Sequence, residues 1–383
     1  MKLAIISHTP HYKTGNTIKG WGPTVREINH LSKIFDEVYH IAPLHGEAAP
    51  PSSLAYENEK IIFIPIKPFG GTTFREKISI LTTSIHNLKA IRQTLKKVDW
   101  VQFRAPTAMG LYVLPYLSLR DKPKRWVKYA GNWQMEDPPL SYRFQKWWLE
   151  KNFQKSIVTI NGTWKDQKPH ILNFENPCFD NEELKNAVKI GIDKNFDKKL
   201  TLCFAGALLK NKGVDLILMS LRNVRSKPEI EELIFAGDGN ERKRYEEMAK
   251  DIDMKITFTG FLSRQELEKI YAMSHLILLP SESEGFPKVI AEAASFGCVP
   301  VVSDVSSIGQ YFNETNSYLL KRITPEELSE KIHEAIMNRA KLKKRSLESM
   351  KAAGLFTYEN YIKNLNEKIL KEIIFENDPV KNQ

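Results

Sequence analysis

Residues 279–304 read LPSESEGFPKVIAEAASFGCVPVVSD, and this stretch decides the fold. The apolar run 276–279 (LILL) that leads into it ends at Pro280, as a short buried strand would. Residues 281–286 are a small-residue loop containing Gly285. Pro287 then opens an apolar helix and Gly297 closes it, because proline suits the first helical position and glycine the turn after the last. Residues 299–302 (VPVV) predict the next strand. Strand, loop, helix and strand make one unit of a parallel α/β sheet. The loop lies at the carboxyl edge, where such sheets bind ligands.

Two glutamates mark this unit, Glu284 in the loop and Glu292 inside the helix, with seven residues between them. The free N–H groups and the dipole at a helix N-terminus attract an anion. Glu292 would lie deeper, beside that anion. A carboxylate only accepts hydrogen bonds, so it suits the paired hydroxyls of a ribose. Glu284, ahead of the helix, would face whatever lies beyond the phosphates. The other reading is a helix with two acidic surface residues.

The string PSESEGFPKVIAEAASFGCVPVV resembles the E-x₇-E signature of retaining glycosyltransferases of family 4, which have the GT-B fold. The resemblance implies an α/β chain of two Rossmann-like domains facing a cleft, with a C-terminal helix crossing back to the first. It implies a nucleotide-diphosphate sugar, UDP- or GDP-linked, as substrate, and neither a cofactor nor a metal for donor binding. Further pieces match in register. Residues 206–213, GALLKNKG, resemble the family's G-R-L-x₄-K-G segment, and Lys212 falls on the lysine that binds the donor phosphates. The family arginine is replaced by Ala207, and Lys210 is placed to restore the charge. Residues 237–240, GDGN, match a turn close to the nucleotide, and the base would lie near the 260–264 turn. The resemblance therefore implies Glu284 and Lys212 as catalytic residues. The donor set is Glu292, Gly206, Lys210, Gly237, Arg264, Gly285, Phe286, Pro287, Lys288 and Val289.

The remaining chain is read around this core. Its 383 residues predict two domains, with boundaries at 1–177 and 178–355 and a last helix, 356–374, returning to the first. Residues 178–199 are polar and charged and read as a linker, and the tail from Glu376 reads as disordered. Three widely spaced cysteines, Cys178, Cys203 and Cys298, form neither a disulfide framework nor a zinc pattern. They fit a reducing, cytoplasmic setting. No apolar run is long enough to span a bilayer, and the N-terminus reads as a first strand rather than a signal peptide. A net charge of +10 points to anionic partners such as nucleotide diphosphates, anionic lipid or nucleic acid. No zinc-finger spacing or RNP-type aromatic motif supports nucleic acid.

In the first half, strand 3–7 leads into a polar loop, 8–23, with Gly15, Gly20 and Gly22, then a helix from about Thr24 to Phe35. By location, His8, His11, Asn16 and Lys19 are candidates, and Gly20 and Gly22 are the acceptor-side glycines. The family's active-site histidine is absent: the strand 126–130 ends in YAGNWQ, so Asn132 and Arg104, each at a strand end, are the substitutes. Residues 142–155, YRFQKWWLEKNFQK, combine the four aromatics Phe144, Trp147, Trp148 and Phe153, following Tyr142, with a cationic excess. They suit a peripheral membrane contact, at the inner face of the membrane, or an amphipathic helix burying Phe144, Trp147, Trp148 and Phe153 in the core.

These features together read as a retaining glycosyltransferase acting on a glycan or glycolipid acceptor in surface polysaccharide or glycolipid biosynthesis. The alternatives are a GT-B nucleotide-sugar 2-epimerase and a non-catalytic anion- or nucleic-acid-binding protein.

Overall fold

The computed structural model describes residues 1–71 and 74–371. The tail from Glu376, and the end of the helix expected to reach 374, lie outside the described residues. The chain divides into two units. One comprises Met1–Glu175 with the stretch that begins at Tyr361, and the other is Asn176–Asn360. The sequence reading placed the first boundary after 177 and the return at 356.

The first unit is built on parallel strands. Lys2–Ile6 sits in the middle, flanked by Glu37–His45 and Trp100–Ala105. Ile61–Ile66 continues outward on the first side, and Lys124–Tyr129, Ile157–Ile160 and Ile171–Asn173 on the second. A strand covered on both faces needs an unbroken apolar run, and KLAII is one, buried from Leu3 onward. The strand order reverses at Lys2–Ile6, which opens a crevice between its carboxyl end and that of Trp100–Ala105. The C-terminal helix Tyr358–Leu365 and the π-turn Asn366–Leu370 supply Tyr361, Leu365, Ile369 and Leu370 to the cluster around Leu3, Ile5, Trp100 and Trp126.

Two expectations for this unit are corrected. The polar loop 8–23 is largely a β-hairpin, His11–Thr14 against Thr17–Trp21, joined through Gly15 and Asn16, with Gly15 at φ +59°. A two-residue connection of this kind needs a positive φ, which glycine supplies. The following helix starts earlier and ends earlier than expected, spanning Gly22–Leu31, because Pro23 fits its first turn.

The second unit has six parallel strands among the described residues. Leu200–Ala205, Ile230–Ala236 and Ile256–Gly260 run one way from the centre, and Leu276–Leu279, Val299–Ser303 and Tyr318–Leu320 the other. The order reverses between Leu200–Ala205 and Leu276–Leu279, which are directly paired. Residues 178–199 are not a linker: they hold the helix Asn181–Ile192, started by a capping box in which Asp180 and Glu183 satisfy each other's backbone N–H.

Two buried histidines are locked neutral. His275 Nδ1 accepts from the Thr201 N–H at 3.1 Å, so its proton sits on Nε2, facing the Asn195 carbonyl. His11 Nδ1 faces the Thr9 carbonyl and must carry the proton, leaving Nε2 to accept from the Tyr56 hydroxyl at 2.7 Å. Tyr56 in turn accepts from His40 Nδ1, and His40 Nε2 accepts from Ser7 Oγ. Burial pushes both His11 and His275 down to about 4. The unfolded chain takes up these protons near pH 6.5 and the folded chain resists them. Stability is therefore full above about pH 6.5 and falls as pH drops toward 4, by about 2 kcal/mol per ring at pH 5. We expect denaturant midpoints to fall through this window. In His275→Asn, whose amide oxygen can accept from Thr201 without titrating, the acid-induced loss should shrink by the share of one ring.

Candidate functional site

The site grows from the strand-order reversal in the second unit. Leu200–Ala205 and Leu276–Leu279 each end in a loop, and the two loops are stitched together at three points. The Glu282 N–H donates to the Asn211 carbonyl at 3.0 Å. Gly213, at φ +74°, packs so closely that a Cβ there would lie 2.4 Å from the Pro280 carbonyl oxygen. Lys212 Nζ meets Glu284 Oε1 at 2.5 Å, with the carboxylate side chain only 10% exposed. Residues 72 positions apart in sequence thus form one charged centre at the carboxyl edge of the sheet.

The loop after Ile230–Ala236 joins the same edge. Gly206 N–H donates to the Ala236 carbonyl and Leu208 N–H to the Asp238 carbonyl. Gly237, at φ +148°, admits no side chain, since a Cβ would fall 1.8 Å from Gly206 O. Arg242 pins this turn by donating to Asp238 Oδ2, Glu246 Oε1 and the Phe258 carbonyl.

Glu292 lies on the helix Lys288–Ser295, 17% exposed, with its Oε1 3.5 Å from Arg264 Nη1. Arg264 also meets Glu268 at 2.8 Å and Glu183 at 3.5 Å. Burial works against its charge, but the carboxylates of Glu292, Glu183 and Glu268 outweigh it and raise the guanidinium above its ordinary value. A cavity of 470 Å³ is lined by these four side chains together with Tyr271 and Phe296.

The other donor-side candidates divide. Phe286 is buried and stacks on Phe356 with ring centroids 4.4 Å apart, so only its backbone faces the loop. Lys288 Nζ donates to the Pro177 carbonyl at 2.6 Å. Pro287 takes the N-cap position of the helix, and Val289 packs against the apolar clusters on both sides of it. Lys210 lies in the short turn Lys210–Lys212 with its side chain exposed. The Gly285 carbonyl accepts from the hydroxyls of Ser306, at 3.0 Å, and Ser307, at 3.3 Å. Sequence reasoning passed over both serines.

On the first unit, Gly20 backs onto the His11 ring, where a Cβ would lie 2.3 Å from Nε2, and Gly22 backs onto the Ser52 carbonyl. His11 faces inward and is fully buried. Asn132 Oδ1 accepts from the Gln134 N–H within its own turn. Arg104 does sit at the crevice of the first sheet, in a cluster that the sequence did not reveal. Glu27, 1% exposed, is met by Arg104 Nη2 at 2.8 Å and by Lys128 Nζ at 2.8 Å. The one available signal was an acid on the otherwise apolar face formed by Val25, Ile28 and Leu31. Among the described residues no group of three or more His, Cys, Asp or Glu side chains is placed to hold a metal ion.

Residues 189–353 match the family model described as glycosyl transferases group 1. The chain is similar to alpha-galactosylglucosyldiacylglycerol synthase of Streptococcus pneumoniae, 27% identical over 213 residues that cover 52% of each chain. It is similar to the O-antigen biosynthesis glycosyltransferase WclY of Escherichia coli, 25% identical over 329 residues, covering 77% of this chain and 87% of the relative. The chain spans about half or less of the length of the curated relatives first matched. Among solved structures, sucrose-phosphate synthase from Thermosynechococcus elongatus superposes with a TM-score of 0.74 at 15% identity, covering 99% of this chain and all of that one. The fold is GT-B.

The stitched loops give a direct test. Gly213→Ala should cost roughly 2–4 kcal/mol, because it combines a positive φ with a backbone collision against Pro280. Denaturant unfolding of the variant against wild type measures it.

Proposed function

We propose that this protein is a retaining glycosyltransferase that moves a sugar from a nucleotide-diphosphate donor to a hydroxyl of a glycan or glycolipid acceptor. The observation that carries this reading is the Lys212–Glu284 pair, held where the strand order of the second sheet reverses. Open α/β sheets bind ligands at that point. The family match over residues 189–353 and the relatives in glycolipid and O-antigen synthesis support it.

Each residue then has a task. The Lys212 ammonium offsets the charge that grows on the departing diphosphate. Glu284, ahead of the helix, contacts the transferred sugar. Glu292 accepts from the ribose hydroxyls, and Arg264 holds that carboxylate in place. The glycine edges at Gly206 and Gly237 let backbone approach the nucleotide. The acceptor oxygen bonds to the anomeric carbon on the face that the diphosphate leaves. The carbon–oxygen bond to phosphate breaks, and the acceptor proton passes to the leaving phosphate. No separate protein base is needed for that step. The reaction takes place in the cytoplasm on this reading.

Thermal unfolding against UDP, GDP, ADP and their sugars identifies the donor, since a ligand bound only by the folded state raises stability with the logarithm of its excess. We expect one nucleotide series to stabilise the protein selectively. Lys212→Met and Glu284→Gln should each slow transfer by about 10²–10³, the cost of losing one charge-stabilising contact. Wild-type rates in both folded variants would end this assignment. Conversion of the donor without any acceptor would favour a 2-epimerase, and steeply salt-dependent binding to nucleic acid without donor binding a non-catalytic role.

A further inference from the structure

The helix Leu140–Glu150 and the turn after it expose aromatic side chains that the core does not take. Trp147 is 47% exposed and Phe153 43%, while Phe144 and Trp148 are half-buried beneath them. This corrects the reading that buried all four. The rings form one cluster, with Phe153 5.2 Å from both Trp147 and Trp148, and Phe144 5.4 Å from Trp148. Trp148 Nε1 donates to Ser118 Oγ at the end of the helix Gly110–Ser118, and the next residue, Leu119, is 88% exposed. Leu140, at the start of the aromatic helix, is 78% exposed. Indole, phenyl and leucyl surfaces therefore share one side of the first unit.

This face is fixed from beneath. Gln145 is fully buried, accepts from the Thr107 N–H at 3.2 Å and donates to the Ser141 carbonyl at 2.8 Å. Gly110 packs against it so tightly that a Cβ would lie 2.1 Å from Gln145 Oε1. The turn is equally determined. Asn152 and Lys155 adopt positive φ, and Gln154 is drawn inward to bond Asn152 Oδ1 and the Ser156 carbonyl. Turning Gln154 in leaves Phe153 and Lys155 out.

The charges around the rings are mostly of one sign. Residues 140–155 carry Arg143, Lys146, Lys151 and Lys155 against the single acid Glu150. Lys151 and Lys155 are exposed, as is Lys122 next to Asp121, while Arg143 lies 3.5 Å from the exposed carboxylate of Asp137 and Lys146 lies 3.9 Å from Glu150. Aromatic rings that are apolar in body, set among cations, match the boundary between acyl chains and anionic head groups. A second copy of the chain does not match, because a self-complementary contact would set cationic rim against cationic rim.

We propose that this face docks the protein on an anionic lipid bilayer, with Trp147, Phe153 and Leu119 entering the head-group region and Lys151 and Lys155 meeting lipid phosphates. No described helix is long and apolar enough to cross the membrane, so the contact is peripheral. The inference does not rest on the proposed transfer activity.

Flotation of the full chain with vesicles tests it. One set is phosphatidylcholine with about 30% phosphatidylglycerol, and the other is phosphatidylcholine alone. Wild type should float with the anionic set and lose most of that binding in about 1 M salt. Trp147→Ser/Phe153→Ser and Lys151→Glu/Lys155→Glu should each lower the partition coefficient about tenfold or more, with unfolding midpoints unchanged. The charge pair lies on exposed positions, so it remains informative should the aromatic pair fail to fold. The inference is overturned if wild type stays with neither vesicle set, or if the charge-reversed variant floats as wild type does. It is equally overturned if the aromatic pair instead abolishes a dimer seen by light scattering.

Discussion

The site depends on one constraint: two loops that leave neighbouring parallel strands must find partners outside the sheet. At the reversal between Leu200–Ala205 and Leu276–Leu279 they find each other. The Glu282-to-Asn211 backbone bond and the Gly213–Pro280 contact set their spacing before any charge is considered. Lys212 and Glu284 then face one another in a partly buried place. There, removing one partner leaves the other's charge poorly solvated. Ser306 and Ser307 hold the far end of the loop by the Gly285 carbonyl, which fixes where the helix Lys288–Ser295 begins. At Gly213, Gly237 and Gly239 on this edge a neighbour's backbone occupies the space of a side chain.

The two units use one architecture with different charge balances at their reversals. In the second, one cation meets one carboxylate. In the first, Glu27 lies between Arg104 and Lys128, and Lys128 also sits 4.7 Å from the Tyr361 ring of the C-terminal helix. Two cations against one acid leave the first reversal net positive, and among the described residues Arg104 Nη1 is buried there without a hydrogen-bond partner. The glycines of this unit do other work. Gly20 and Gly22 make room for the His11 ring and the Ser52 carbonyl, so their value is to the hairpin and its inward histidine chain.

What could be read from the sequence followed from local pattern. Apolar runs bounded by proline or glycine located Leu276–Leu279 and Leu200–Ala205, because strands buried on both faces leave no other composition open. The E-x₇-E spacing located both glutamates. What could not be read needed partners distant in sequence: Arg264 against Glu292, the serines on Gly285, and Lys128 beneath Tyr361. Other misses were legible but passed over. Asp180 and Glu183 stand at capping-box spacing in a stretch taken for a linker, and Gly15–Asn16 is hairpin chemistry in a stretch taken for a loop. Charged composition outweighed the local signal in both places. Trp147 and Phe153 were left open between core and surface for a different reason, since helical periodicity finds an apolar face but does not say whether anything covers it.

The seven-residue spacing gains a physical meaning from this geometry. It crosses a loop-to-helix junction, so the two carboxylates cannot share one environment. Glu284 belongs to the loop and answers to Lys212, while Glu292 belongs to the helix and answers to Arg264. Two acidic residues on a solvated helix face would be far more exposed than 10% and 17% and would not each hold a separate cation. The separation lets one carboxylate stay beside a lysine suited to phosphate charge while the other is oriented for hydroxyls. Moving Glu292 by a residue would place its carboxylate at 291 or 293, where Ala291 and Ala293 are fully buried.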